Sequence, residues 1–188
     1  MTAPVTDTLP VSGYRTGTWL IDAGHSEVGF SVRHMMVSKV RGRFTEFSGT
    51  IITAQDVTRS TAQVDIQLGS IETGSEQRDG HLRSPDFFAT DEHPTMTYRS
   101  TGLTAHGDDW QLEGELTLKG VTKSVPVAFE FNGANADAFG GYRMGFSGTA
   151  QINREDFGVT WNQAIEGGGV VVSDKVTIQL EIEAVLQD

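Results

Sequence analysis

Cysteine is absent from all 188 residues. Its absence removes disulfides, thiolate metal sites and thiol nucleophiles from consideration. Positive charge is scarce: 14 Lys and Arg face 25 Asp and Glu, a formal net charge of −11. That balance repels a nucleic-acid backbone, and no run of adjacent basic residues reverses it locally, so no nucleic-acid partner is expected. Long hydrophobic runs are missing too. Nothing approaches the roughly 20 apolar residues of a membrane-spanning helix, so no integral membrane span is expected. The opening MTAPVTDTLPVSGYRTGTW has neither the basic nor the apolar region of a secretory signal, and cytoplasmic residence is the expectation. Of five prolines, Pro4 and Pro10 fall in residues 1–17, which read as a polar leader with little structure of its own. Residues 18–188 form the ordered domain, with one core that buries roughly 70% of the extended-chain surface.

What is abundant is alternation. Val28, Phe30, Val32 and His34 share one face of a first long strand, with Glu27, Gly29, Ser31 and Arg33 on the other. The same period of two runs through Val64, Ile66 and Leu68, then Trp110, Leu112, Gly114, Leu116 and Leu118, then Val125, Val127, Phe129 and Phe131. It returns in Tyr142, Met144, Phe146, Ala150 and Ile152, and in Val172, Val176, Ile178, Leu180, Ile182 and Ala184. Such ladders are half-buried strands. Two less regular segments, 40–52 and 95–105, bring the total to about eight strands. In the first, Phe44 and Phe47 differ in parity, which predicts a bulge near Thr45–Glu46. Short Gly-containing connections, around Gly107-Asp108-Asp109, Lys119-Gly120 and residues 132–141, favour antiparallel neighbours. The class is all-β, a sandwich or a closed barrel, and an eight-stranded barrel is near the size at which side chains fill the interior or leave room for one ligand.

One helix interrupts this pattern, in GSEQRDGHLRSPDFFATDEHP (74–94). Thr73-Gly74-Ser75-Glu76 matches a capping box, and the helix is predicted over Gly74–Arg83, stopping at Ser84-Pro85. Gly80 weakens it by about 1 kcal/mol, so tertiary contacts must hold it. Asp79 and Arg83 are spaced to pair, Leu82 to seat the helix on the barrel, and Phe87 and Phe88 to anchor the chain just after the helix. The leading reading is a structural clasp over an open barrel end.

Catalytic and metal chemistries find little support. The five histidines, His25, His34, His81, His93 and His106, form no HxH or HExxH, and no metal site is predicted. Ser26 beside His25 lacks a nucleophile elbow, and neighbours on a strand point to opposite faces. The acids fall mostly on outward positions or in turns, where they solvate a surface. His34, on the inward parity, is either a packed histidine with a backbone or Asp79 partner or the polar contact at one end of an apolar lumen; leaving it unsatisfied would cost about 1–3 kcal/mol.

Four segments in order, WLIDAGHSEVGFSVRHMMVSKVRGRFTEFSGTI, GSIETGSEQRDGHLRSPDFFATDEHPTMTY, GELTLKGVTKSV and INREDFGVTWN, resemble the YceI-like family of lipocalin-like barrels. The likeness runs from Trp19 to about Leu186, with Arg78, Asp79, His81 and Leu82 matching its RDxHL signature and His34 its VRH element. The resemblance implies an extended eight-stranded antiparallel barrel with a short helical clasp. It also implies non-enzymatic binding of a long-chain isoprenoid or fatty-acid-like lipid in an apolar lumen, for transport or storage, with no catalytic set and no cofactor. Phe30, Val32, His34, Phe44, Leu116 and Phe129 are candidate ligand contacts, as are Tyr142, Met144, Phe146, Ile178 and Leu180. Arg78 and His81 are expected nearest the opening, and Arg41, Arg43, Arg83 and Arg154 are the other cations available to an anionic head group. Two alternatives stay open: an enzyme acting on a prenyl substrate through converging His34, Asp79 and His81, and a structural or stress-related barrel with a filled core. A homodimer is kept beside a monomer.

Overall fold

The computed structural model describes residues 12–106 and 109–188, with the His106 side chain excepted. Its strands, in chain order, are β1 (Gly17–Ile21), β2 (Glu27–His34), β3 (Ser38–Phe44), β4 (Phe47–Thr53), β5 (Thr61–Gln67), β6 (Ile71–Glu72), β7 (Thr95–His106), β8 (Asp109–Leu118), β9 (Val121–Ser124), β10 (Val127–Ala136), β11 (Tyr142–Asn153) and β12 (Val172–Leu186), with α1 (Glu76–Arg83) between β6 and β7. Every pairing is antiparallel, in the order β1-β4-β5-β7-β8-β10-β11-β12, and β12 pairs back onto β1 to close the ring.

Eight barrel positions arise from these segments because four long strands are broken. β12 pairs with β1 at one end and β2 at the other, so β1 and β2 are halves of one strand. β4 continues β3, β6 continues β5, and β10 continues β9 in the same way. Each break has a local cause. Asp22 accepts a hydrogen bond from Gly24 N and caps a single 3-10 turn between β1 and β2. Pro126, which has no N–H to give a ladder, separates β9 from β10. Between β3 and β4 the chain bends at Thr45–Glu46, the predicted place, so that Phe44 and Phe47 are both buried despite their odd spacing.

The clasp differs in detail from its sequence reading. α1 begins at Glu76, and its cap is Ser75, whose Oγ accepts Arg78 N. Thr73 is therefore free to turn inward and donate both its N–H and its hydroxyl to Asp79 Oδ1. Asp79 is buried by that arrangement, so the expected Asp79–Arg83 pair does not form. Arg83 instead donates to the carbonyls of Gly69 and Ile71, stitching the helix to the β5–β6 bend.

The turn at Lys119-Gly120 is tight, with φ of +52° and +77°, while the Gly107-Asp108 part of its predicted counterpart lies outside the described residues, as do residues 1–11. Residues 12–16 of the leader are fastened to the barrel. Tyr14 Oη donates to Ala54 O, Tyr142 Oη donates to Gly13 O, and the Arg15 guanidinium lies 3.6 Å from the centre of the Tyr142 ring. No helix among the described residues is long and apolar enough to cross a membrane.

Candidate ligand lumen

The inward ladders enclose two apolar chambers placed end to end. The upper one, about 160 Å³, is walled by Trp110, Leu112, Phe129, Phe131, Met144 and Phe146, with Tyr14 at its rim. The lower one, about 180 Å³, is walled by Phe30, Val32, Phe44, Leu116, Ile178 and Leu180. Each is comparable with cavities that stay dry and accept a small apolar guest. Val64, Tyr98, Val127 and Ile182 line both chambers and form a waist between them. The interior is therefore neither filled throughout nor one unobstructed tunnel.

Tyr98 is the dominant group at the waist. Its hydroxyl donates to Val125 O at 2.8 Å, and burial pushes its phenol well above the usual range. The ring lies against Gly114: a Cβ there would come within 2.4 Å of Tyr98 Cζ, so glycine is required for the ring to sit where it does. Among the described residues, the lower chamber has, besides Tyr98, one polar lining side chain, Arg154, whose head is engaged by carbonyls behind the wall. The space offers an apolar tail a solvent and offers a reacting polar group almost nothing.

Of the residues expected to touch a ligand, Phe30, Val32, Phe44, Leu116, Ile178 and Leu180 meet in the lower chamber and Phe129, Met144 and Phe146 in the upper. Four lie outside both linings. Tyr142 packs on Trp19 and holds the leader. Arg78 is exposed and donates to Thr73 Oγ1 and Thr73 O. His34 ends β2, half-buried, opposite Val172 and Ser38. His81 sits edge-on between Phe87 and Trp161, at 5.0 and 4.8 Å, with Nε2 2.8 Å from Asp86 Oδ2. None of His34, Asp79 and His81 lines either chamber. The clasp reaches the lumen through Leu82, Phe87 and Phe88 instead. Leu82 ends the RDxHL stretch and Phe87 and Phe88 follow it, and their apolar character, read in the sequence as seating and anchoring, was the available signal.

The segment 153–162 closes the same end from the other side. Asn153 Oδ1 accepts Glu155 N to start a 3-10 turn, and Gly158 ends it at φ +73°, a left-handed conformation suited to glycine. Phe157 and Val159 are buried by this turn, and Trp161 is delivered onto His81 and Phe87. Such ring pairs contribute about 0.5–1.5 kcal/mol each beyond their buried area. Lumen floor and clasp thus share one aromatic cluster.

A polar knot lies outside the lumen. Arg143 Nη1 donates to Asp22 Oδ2 at 2.7 Å and to Glu183 Oε1 at 2.6 Å, and its Nε donates to Asp137 Oδ2 at 2.9 Å. His25, Asp22 and Glu183 offer ligand atoms within 4.8 Å of one another, but the guanidinium already supplies their positive charge. Arg143, followed by His25, holds the Asp22 carboxyl down to about 2. An acid with a lowered folded pKa stabilises above its unfolded value and loses that contribution as pH falls toward the folded one. Arg143→Met, which leaves three acids facing one another, is expected to be less stable than wild type at neutral pH, with the gap narrowing between about pH 4 and 2. Urea unfolding across that range checks this; a gap that stays constant removes the charge account.

A closed antiparallel barrel with an apolar, divided lumen defines a binding barrel. The YceI-like domain family model matches residues 19–184, and the chain belongs to the YceI-like family. A UPF0312 protein of Staphylococcus epidermidis is 38% identical over 167 residues, covering 86% of this chain and 94% of that protein. A UPF0312 protein of Staphylococcus aureus is 37% identical over 164 residues with the same coverage of each chain. Among solved structures, the Campylobacter jejuni YCEI protein aligns with TM-score 0.71 at 28% identity, over 94% of this chain and 99% of that one. A polyisoprenoid binding domain from Saccharophagus degradans aligns with TM-score 0.69 at 20% identity, over 92% and 100%.

Proposed function

We propose that this barrel binds a long-chain isoprenoid or fatty-acid-like lipid, with Tyr98 confining the apolar tail to one of the two chambers, and carries or stores it without chemical change. The observation that carries this reading is the pair of apolar chambers meeting end to end at Tyr98, with polar lining groups engaged by backbone carbonyls in the lower one. The polyisoprenoid binding domain with the same fold supports the class of ligand. Each CH₂ removed from water contributes about 0.8 kcal/mol, so a ten-carbon tail gains roughly 8 kcal/mol before association costs are subtracted. Those costs favour longer tails. Native mass spectrometry of the purified protein, followed by organic extraction, is expected to show a retained amphiphile of one chain-length class. Empty extracts, together with no saturable binding of a fluorescent prenyl or acyl probe, would overturn the reading.

A further inference from the structure

The tip of the β2–β3 hairpin does not behave like an ordinary turn. Val37 N donates to His34 O at 3.1 Å, and Met35 and Met36 occupy the two central positions at φ +51° and +63°. Turns with positive φ at both central positions select glycine or asparagine, because other side chains are strained there; with His34 paired to Ser38, Val37 completes a three-residue loop. Here two methionines are held there, and packing does not absorb them: Met35, Met36 and Val37 are 42, 57 and 82% exposed. Three bulky apolar groups therefore project beyond the end of the sheet.

The residues behind the tip are basic. Arg33 faces Lys39 across the ladder and Arg41 faces Ser31, all three cations exposed on the outer surface. Among the described residues none of the three has a hydrogen-bond or ion-pair partner on its side chain. By contrast, Arg43 is paired with Glu72 and Arg83 with backbone carbonyls. Exposed acids at this end include Glu166 and Asp174, and Asp174 lies 3.6 Å from Arg154. In a chain of net charge −11, an apolar point with a collar of three unpaired cations is a local reversal. Acids on the far faces are screened beyond about 8 Å at physiological ionic strength.

We propose that this hairpin docks the barrel onto an anionic lipid surface, with Met35, Met36 and Val37 entering the boundary between headgroups and acyl chains and Arg33, Lys39 and Arg41 lying against lipid phosphates. The order of chemistry along the hairpin, apolar at the point and cationic behind it, matches the order met on entering such a surface. The tip also adjoins the lumen. Val32 and Val172, which flank His34, line the lower chamber, and β12 loses register with β2 between Val172 and Val176. Docking by the tip thus brings the irregular part of the lower chamber's wall to the lipid. The docking itself goes beyond the lumen reading and does not depend on what the lumen holds.

The test uses the full chain and sedimentation with vesicles of phosphatidylcholine alone or mixed equally with phosphatidylglycerol. Binding is expected to the mixed vesicles only and to weaken with added salt. The triple variants Met35→Ser/Met36→Ser/Val37→Ser and Arg33→Gln/Lys39→Gln/Arg41→Gln are each expected to lower the partition coefficient at least ~10-fold, with the thermal midpoint unchanged. Because the chain has no cysteine, Val37→Cys carrying an environment-sensitive dye reports insertion directly, as a blue shift on mixed vesicles. Failure of the wild type to sediment with mixed vesicles overturns the proposal, as does binding that either triple variant retains in full. Dimerisation without lipid that the apolar triple variant abolishes, in a protein that ignores vesicles, would reassign the tip to a second copy. An extract without lipid would leave these results standing, so the two readings fail separately.

Discussion

Arg154→Ala is expected to lower the stability of the barrel by about 3–5 kcal/mol, since buried carbonyls left without a donor cost about 1–3 kcal/mol each. Arg154 is 4% exposed. Its Nε donates to Ser173 O at 2.9 Å, Nη1 donates to Val159 O and Trp161 O at 2.8 and 2.9 Å, and Nη2 donates to Val172 O at 3.3 Å. Four carbonyls from two chain segments thus converge on one guanidinium. Val172 and Ser173 belong to the irregular stretch of β12; Val172 O also accepts Asn162 Nδ2 at 2.7 Å, whereas Ser173 O takes its side-chain hydrogen bond from Arg154. Val159 and Trp161 belong to the segment that closes the lower chamber. Burial lowers the pKa of the group, but five donors in a planar fork remain charged at neutral pH. Arg154→Lys is expected to recover little of the loss, since one ammonium cannot span the same four acceptors. Chemical denaturation of both variants measures this; a loss under about 1 kcal/mol for the alanine variant would show that water replaces the guanidinium without cost.

That role was not legible in the sequence, where Arg154 stood among the cations available to a head group. A single arginine after an apolar ladder carries no mark of which carbonyls will surround it, because those come from residues five to nineteen positions away. Arg143 escaped notice for the same reason: of its three acids, Asp137 lies across the β10–β11 turn, Glu183 on the paired strand β12 and Asp22 at the β1–β2 break, and only the strand pairings bring them together. Periodicity, by contrast, is local. Phe30, Val32, Leu116, Phe129, Met144 and Ile178 all face the chambers because alternate side chains on a strand share a face whatever their partners are. Parity failed at strand ends. His34 continues the inward series, but the ladder turns there, and the ring emerges beyond the lining.

The clasp shows the same division. The helix and its C-terminal stop were readable from Thr73, Glu76 and Ser84-Pro85, although the cap proves to be Ser75, and so was the need for tertiary support. So were Leu82, Phe87 and Phe88 as its apolar anchors; the partners of Arg78, His81 and Arg83 were not. His81 and Arg78 carry the polar signature, yet they fasten the helix to Asp86, the aromatic cluster and Thr73, while Leu82, Phe87 and Phe88 face the cavity. A motif rich in ionisable groups thus identifies a fastener, and the apolar residues between them form part of the lumen.

The waist makes the strongest prediction about ligand choice. In wild type, affinity for a series of saturated amphiphiles of increasing length is expected to rise by about 0.8 kcal/mol per CH₂ and then to level off when one chamber is full. Tyr98→Ala removes the ring that lies against Gly114, and its removal joins the chambers. The plateau should then move to longer chains, and a tail extended by four methylenes past the wild-type limit should bind roughly 100-fold more tightly to the variant, since about 3 kcal/mol of additional burial becomes available. Amphiphiles short enough for one chamber should change little. Tyr98→Phe separates ring from hydroxyl: it keeps the partition, gives up the bond to Val125 O, and should retain the wild-type length limit. The alanine variant will be less stable by about 3–5 kcal/mol, as for other large aromatic truncations, so its binding must be measured well below its unfolding midpoint. Isothermal titration across the series distinguishes the outcomes. An unshifted plateau in a folded Tyr98→Ala protein would mean that tails already pass the ring in the wild type, and chain length would then be set by the aromatic floor at Phe87 and Trp161 instead.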